Sequence, residues 1–75
     1  MSRDKTLDVY RVIGVNIAEA REQAGLTQQQ LADKSGIHRV SLAAMEIGQR
    51  RFPIHKVEQI AKVLKIEVWD LLRKR

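Results

Sequence analysis

Apolar residues recur along most of the chain at the spacing of an amphipathic helix, and no stretch alternates with the period of two that is typical of a strand. This pattern predicts an all-α fold of five helices in a single domain that spans residues 1–75. The predicted helices cover residues 7–24, 28–34, 38–47, 53–64 and 67–72. A polar arm over residues 1–6 precedes them, and a basic tail over residues 73–75 follows them.

Two of these helices are predicted to bury an apolar stripe. The stripe of the first helix consists of Tyr10, Ile13, Ile17, Ala20, Arg21 and Ala24. The stripe of the fourth helix consists of Ile54, Val57, Ile60, Ala61 and Leu64. Pro53 suits the first position of that fourth helix, where its missing N–H costs nothing. Gly14 interrupts the first helix and costs up to about 1 kcal/mol relative to Ala. It is either a tolerated weakness or a point where another helix approaches closely, and we favour the close approach.

The stretch from residue 27 to residue 48 carries the end signals of two short helices. Thr27 is a good N-cap, and Gln30 three residues later completes a capping box. Gly36 lies between the helices, where the chain needs a left-handed conformation that Gly adopts at low cost, and Gly48 closes the second helix. Two short helices joined by a Gly-containing turn of about three or four residues form a helix-turn-helix unit. The pattern therefore favours a DNA-binding unit that the other helices support.

The third helix has an outer face that is unusually apolar for a solvated helix. A helical wheel turns Leu42, Met45 and Glu46 toward the interior. The outward positions are Val40, Ala43, Ala44 and Ile47. We interpret this face as one that fits closely in the DNA major groove, where Val40 or Ala44 would contact thymine methyl groups. A surface for contact with another protein, or exposure without a role, is the alternative.

Polar residues near this unit are candidate DNA contacts. Arg39 can bind guanine O6 and N7 with its guanidinium, or bond a phosphate as an ordinary exposed arginine. His38 can donate to a base or a phosphate, or serve only as a turn residue. Gln28 lies at a helix N-terminus, which favours phosphate, although it fits equally as a plain member of the capping box. Glu46 faces the interior and needs a partner, and Arg21 on the inward stripe of the first helix is the partner that we predict.

The last helix is apolar almost all round, because it contains Val68, Trp69, Leu71 and Leu72. A helix that is apolar on every side packs against more than one partner. Either all four side chains close the core, or Trp69 fills the core while Val68 and Leu72 contact a second copy of the chain. We favour the second arrangement, since a domain of this size buries only about 60 % of its unfolded surface and gains stability from a partner subunit.

Charge and composition narrow the possible functions. The net charge of +5 and the pI near 10.1 suggest a polyanionic partner such as nucleic acid, although part of this charge lies in the basic tail. The sequence has no Cys, no apolar run of membrane length and no apolar signal-peptide core, so we expect a cytoplasmic protein without a membrane partner. His38 and His55 are distant in sequence and lack clustered carboxylates, and no Gly-rich phosphate loop is present. We therefore predict no enzyme activity, no metal or other cofactor, and no small-molecule substrate.

Several spaced elements of the sequence together resemble one known family. The elements are Ile13-Gly14, Ile17, Arg21, Gly25-Leu26-Thr27-Gln28, Leu31-Ala32, Gly36-Ile37, Glu46, Gly48, Arg50, Ile60-Ala61 and Leu64. In this register, over residues 11–72, the chain resembles the lambda-repressor-like helix-turn-helix family, also called the Cro-repressor or xenobiotic-response-element family. Within that family, the runs over residues 36–39 and 45–50 are similar to controller proteins of restriction–modification systems, and phage repressors and antitoxins share most of the pattern.

The resemblance implies a five-helix domain that binds operator DNA, usually as a dimer. The implied base-facing residues are His38, Arg39, Val40 and Ala44. The implied contacts to the DNA backbone are Thr27, Gln28, Ser41, Arg50 and Arg51. Arg21 and Glu46 correspond to a salt bridge between the first and third helices. The chain departs from the family at Pro53, where a Ser or Thr cap is common, and at Val40 and Ala44, where many members carry polar residues that contact bases.

These observations together predict a sequence-specific DNA-binding transcription regulator that acts as a homodimer on a two-fold-related operator of double-stranded DNA. The alternative is an antitoxin-like protein-interaction module in which DNA binding is secondary. Such a module needs a segment that binds its protein partner, and residues 1–9 and the tail are the parts of the chain available for it.

Overall fold

Five helices form the fold of this computed structural model, which describes the backbone of residues 5–74 and the side chains of residues 8–74. They are α1 (Lys5–Gln23), α2 (Gln28–Ser35), α3 (Arg39–Glu46), α4 (Ile54–Leu64) and α5 (Val68–Leu72), and residues 5–74 contain no strand. The prediction of an all-α, five-helix fold is confirmed. Because α1 begins at Lys5, two residues earlier than predicted, the predicted arm overlaps the first turn of α1. The rest of the arm, residues 1–4, and Arg75 of the tail lie outside the described residues.

Local capping explains where α2 begins and ends. Thr27 Oγ1 accepts a hydrogen bond from the Gln30 N–H at 3.0 Å, and Gln30 Oε1 accepts one from the Thr27 N–H at 2.8 Å, so the predicted capping box is confirmed. Gly36 ends α2 with a φ of 77°, in the left-handed region that Gly adopts without strain. His38 and Pro53 are the N-caps of α3 and α4, whereas the sequence placed each of them inside its helix. Both have extended backbone angles, which a cap requires and a helical position does not allow.

The core lies between α1 and the other four helices. The fully buried side chains with the largest volumes include Ile17, Leu31, Leu42, Ile60 and Leu71. α1 packs against α3, α4 and α5, and α2 packs against α3 and α4. At one edge the rings of Tyr10 and Phe52 meet edge to face, with their centroids 4.7 Å apart. α1 and α4 thus each touch both the helix-turn-helix unit and the C-terminal helix, and α1 packs against α3.

The close approach that we favoured at Gly14 is present between α1 and α3. A Cβ atom on Gly14 would overlap the carbonyl oxygen of Met45 and would lie 2.7 Å from the carbonyl oxygen of Glu46. Both oxygens belong to the last turn of α3, and backbone atoms cannot move aside as a flexible side chain can. Gly14 therefore allows α1 and the end of α3 to pack with their backbones in contact.

Three expectations about buried residues are wrong. Trp69 does not fill the core, because its side chain is 62 % exposed and Leu71 is buried in its place. The two residues point about 200° apart on a helix, so a single turn cannot bury both against the same core. Ile54 is exposed because it lies in the first turn of α4, at the rim of the core. Ala24 is exposed because α1 has already ended at Gln23.

Substitution of Gly14 by Ala tests the close contact. Ala favours a helix over Gly by about 1 kcal/mol, so propensity alone predicts stabilisation. Because the added methyl group would overlap backbone oxygens, we expect the free energy of unfolding to fall by about 1–3 kcal/mol in urea denaturation. Val15→Ala, an exposed neighbour on α1, is the control and should change stability by less than about 0.5 kcal/mol. A Gly14→Ala protein as stable as the parent would contradict the contact.

Candidate nucleic-acid interface

The α2–turn–α3 unit places one face of α3 in the core and the other in solvent. Leu42 and Met45 are buried, whereas Val40 is 63 % exposed and Ile47 is 62 % exposed. The turn between the helices is fixed by burial of Ile37, whose N–H donates to Ser35 Oγ at 3.3 Å. The outer face of α3 is therefore an exposed and mostly apolar surface on a rigidly packed helix.

An ion pair attaches the end of α3 to α1. Arg21 Nε donates to Glu46 Oε2 at 2.7 Å, and Arg21 Nη2 donates to Glu46 Oε1 at 3.2 Å. A third guanidinium nitrogen, Nη1, donates to the carbonyl oxygen of Leu26 at 2.8 Å, just before α2. The side chains of Arg21 and Glu46 are 13 % and 6 % exposed, so solvent screens this pair little. The hydrogen bond that Arg21 donates to the Glu46 carboxylate raises the pKa of Arg21 above its usual value, although partial burial opposes the rise.

Gln28 is the third side chain at this carboxylate. Its Nε2 donates to Glu46 Oε1 at 2.9 Å. Glu46 therefore connects the first residue of α2 with α1 and with the last turn of α3. One of the two amide hydrogens of Gln28 is used in this bond, which leaves the other to point away from Glu46. This contact was not predicted from the sequence. The available signal was the inward-facing carboxylate of Glu46, because a carboxylate can accept several hydrogen bonds and so can have partners besides Arg21.

The predicted DNA-contacting residues divide into two neighbouring groups. A groove of about 460 Å³ between α3 and the following loop is lined by Val40, Ser41, Ala44, Arg50 and Arg51, among others. His38 and Arg39 lie on the other side of Val40, around a depression of about 370 Å³ that α2 also lines. Thr27 and Gln28 lie at the start of α2 and line neither the groove nor the depression; Thr27 is exposed and Gln28 is partly exposed.

Two further polar residues line the groove beside α3. They are Gln49, in the loop, and Lys56, in the first turn of α4, and sequence analysis singled out neither. With Arg50 and Arg51 they give the rim of the groove three basic side chains beside the apolar face of α3. The signal in the sequence was the basic residue at position 56. It lies at the start of a predicted helix, directly after the loop that carries the two arginines.

This arrangement defines a class of protein. Two helices joined by a tight turn, the second exposed on one face and flanked by cationic side chains, make a helix-turn-helix DNA-binding protein. The sequence model of the helix-turn-helix family HTH_3 matches residues 17–68, and the chain belongs to this family of DNA-binding transcription regulators, which are not enzymes.

Similar proteins include two that are named as control proteins. Control protein C.SmaI of Serratia marcescens is 29 % identical over 69 residues, which cover 92 % of this chain and 82 % of that protein. The restriction–modification controller protein C.AhdI from Aeromonas hydrophila has a crystal structure that matches with a TM-score of 0.79 and 32 % identity, over 83 % of this chain and 94 % of that chain. The hypothetical transcription factor NHTF from Neisseria matches with a TM-score of 0.85 over 99 % of this chain and 84 % of that one, and at 24 % identity it supports the fold alone.

Residues 5–74 contain no group of three or more His, Cys, Asp or Glu side chains placed to hold a metal ion. None of the helices described above has the length and apolar character needed to cross a membrane.

Replacement of Arg21 by Ala tests the ion pair. The change leaves the buried carboxylate of Glu46 without its guanidinium partner, which costs about 3–5 kcal/mol in proteins. We expect a lower melting temperature by circular dichroism and weaker DNA binding, because α3 loses its attachment to α1.

Glu22→Ala is the matched control for this variant. Glu22 also lies near Arg21, at 3.8 Å, but its side chain is 69 % exposed and such surface pairs contribute little. If Arg21→Ala and Glu22→Ala proved equally stable, the structural importance of the buried pair would be refuted.

Proposed function

We propose that this protein is a sequence-specific transcription regulator that binds, as a homodimer, an operator with two-fold-related half-sites. The observation that carries the proposal is the outer face of α3, which is exposed, largely apolar and bordered by cationic side chains. An α-helix with such a face fits the major groove of B-DNA, and the cations beside it reach the flanking phosphates.

Base recognition is assigned to His38, Arg39, Val40 and Ala44. Arg39 is exposed in the first turn of α3, where the N-terminal residues of a recognition helix meet base edges. Its guanidinium can donate to guanine O6 and N7 together. Val40 and Ala44 lie one turn apart and offer no hydrogen bond, which suits the methyl group of thymine. Recognition then combines polar contacts from His38 and Arg39 with the apolar contacts and with the shape of the groove.

Backbone contacts are assigned to Thr27, Gln28, Ser41, Arg50 and Arg51. Gln28 has a second amide hydrogen that Glu46 does not use, and the first N–H groups of α2 have no partner within the helix. Both kinds of donor can bind a phosphate. Arg50 and Arg51 are exposed on the loop that borders the groove. Glu46 thus has an indirect part in binding, since it orients the side chain of Gln28.

The pairing surface is assigned to α5, through Leu72 and Val68. Leu72 is 43 % exposed and lines an apolar groove of about 460 Å³ with Val9 and Ile54, which are also exposed. Among residues 8–74, whose side chains the structure describes, those that line this groove are all uncharged. Two copies that each carry a net charge of +5 repel one another, so an uncharged apolar surface is the favourable place for them to meet. Val68 is half-buried against the core, and we expect it to contribute less than Leu72.

A role as a controller of a restriction–modification system is the biological context that the similarities favour. C.AhdI is named a restriction–modification controller, and C.SmaI is named a control protein. A regulator of this kind acts where the operator DNA is, so the cytoplasm of a bacterial cell is its proposed location.

Arg39→Ala and Arg50→Ala separate base recognition from phosphate binding. Loss of the Arg39 contact should relax specificity at one base position of each half-site and cost about 1–3 kcal/mol there. Loss of a phosphate contact at Arg50 should weaken binding to all sequences alike and reduce the salt dependence of log K by about one unit per subunit. Fluorescence anisotropy over a salt series measures the sequence specificity and the salt dependence of binding. Binding that is indifferent to salt in the parent protein would favour the antitoxin-like alternative.

Leu72→Glu tests the pairing surface. A charge at the centre of an apolar interface is desolvated without a partner, so we expect the dimer dissociation constant to rise at least about tenfold. Sedimentation equilibrium over a range of concentrations measures it. Val15→Glu is the control, since Val15 is similarly exposed on α1 and does not line the α5 groove. Equal weakening by both variants, or none by either, would place the pairing surface elsewhere.

A further inference from the structure

Asn16 is a buried polar residue whose side-chain amide nitrogen donates to the backbone at the end of α5. The residue is 2 % exposed. Its Nδ2 donates to the carbonyl oxygen of Leu71 at 2.8 Å and to the carbonyl oxygen of Arg73 at 2.7 Å. Both hydrogens of the amide are therefore used on one short segment of backbone, and neither the sequence pattern nor the DNA interface accounts for the residue.

α5 depends on such external support. It has only five residues, and helices this short are not stable by themselves. The carbonyl groups of its last turn have no partner within the helix. The other polar contacts of α5 are local, because Asp70 accepts from the Glu67 N–H at 3.1 Å and from Arg73 Nη2 at 3.2 Å. They shape the helix but do not attach it to α1, whereas Asn16 does.

The segment that Asn16 holds carries the most exposed apolar side chains of the C-terminal region. Trp69 is 62 % exposed, and Leu72, three residues later on the same side of the helix, is 43 % exposed. The position of both side chains relative to Val9 and Ile54 follows from the position of α5 on α1. An interface between two copies is sensitive to that position, because a two-fold contact requires the same surface to complement itself.

We propose that Asn16 is the positioning residue of the dimer surface. Its amide fixes the end of α5 on α1, so that Trp69 and Leu72 are presented to a second copy of the chain in one defined arrangement. Asn16 itself touches neither DNA nor the partner. The proposal rests on the proposed homodimer and adds the residue on which its geometry depends.

An apolar residue at position 16 would not fix the end of α5 on α1 in the same way. Leucine shares the branched shape of asparagine, but it is larger and has no N–H, and hydrophobic contact is not directional. It would leave the carbonyl oxygens of Leu71 and Arg73 without the donors that Asn16 supplies. A buried asparagine is known to select one arrangement of paired helices at some cost in stability. Here its two donors can be satisfied together only when the end of α5 lies at one place on α1.

The experiment compares Asn16→Ala and Asn16→Ser with the parent protein. Serine retains one donor, so it keeps the measurement possible if the alanine variant is poorly folded. Sedimentation equilibrium measures the dimer dissociation constant, and thermal unfolding measures stability. Affinity for a short random-sequence duplex at low salt reports whether the α2–α3 unit is intact. Trp69 is the single tryptophan of the chain, so its emission maximum reports directly on the surroundings of α5.

A second variant separates positioning from general stability. Ile37→Val removes one buried methyl group between α2 and α3, far from α5, and lowers stability without touching the Asn16 contacts. If Asn16 positions the interface, Asn16→Ala weakens dimerisation at least about tenfold, whereas Ile37→Val changes it by less than about twofold. In the Asn16 variants affinity for the random duplex stays near that of the parent, and Trp69 emission shifts in these variants but not in Ile37→Val.

Three results would overturn the proposal. Unchanged dimerisation in both Asn16 variants would remove the positioning role and leave the proposed homodimer intact. Parallel weakening of dimerisation by Asn16→Ala and Ile37→Val, in proportion to their loss of stability, would make Asn16 a general stabilising residue. A parent protein that is monomeric at high micromolar concentration and binds its DNA as a monomer would overturn the proposed homodimer together with this role.

Discussion

The Glu46 carboxylate is the group on which the arrangement of the helix-turn-helix unit depends. It accepts hydrogen bonds from Arg21 of α1 and from Gln28 of α2, while its own backbone ends α3. A charge buried to this degree is tolerated only when its partners are held in place. The close backbone contact at Gly14 brings the end of α3 to the distance at which Arg21 can reach it. The ion pair and the glycine contact therefore require one another.

α1 connects the two proposed binding surfaces of the molecule through two polar residues. Arg21 holds the end of α3, and so the orientation of the surface proposed to meet DNA. Asn16 holds the end of α5, and so the orientation of the surface proposed to meet a second copy. In the proposed dimer both attachments would influence the spacing of the two α3 helices, which sets the half-site separation. A small rotation of α5 on α1 would change that spacing without altering any DNA contact.

Features that depend on local sequence could mostly be predicted. Among contacts between distant residues, the Arg21–Glu46 pair and the close approach at Gly14 were expected, and the others were not. The capping box at Thr27 and the inward face of α3 follow from neighbours within one or two turns. The pattern could not choose between Trp69 and Leu71 as the core residue, because α5 is apolar almost all round. Asn16 was missed because its partners lie 55 and 57 residues away and a polar residue in a helix gives no signal of burial.

The candidate DNA interface was predictable to a similar extent. The exposure of Arg39 and Val40 follows from the period of α3, and the resemblance supplied their proposed roles. The contact of Gln28 with Glu46 and the place of Lys56 beside the groove needed the packing of α2 and α4 around α3. Such contacts arise from tertiary structure, which residue spacing alone does not encode.

Selection of bound sites from a random pool of duplex DNA tests most directly whether this protein recognises a two-fold operator with one α3 helix from each subunit. The predicted result is an enriched sequence made of two inverted half-sites, whose centres lie about 34 Å apart, one turn of the DNA helix, or a multiple of that distance. Enrichment of a single half-site without an inverted copy would contradict the dimer, and no enrichment at all would contradict sequence-specific binding.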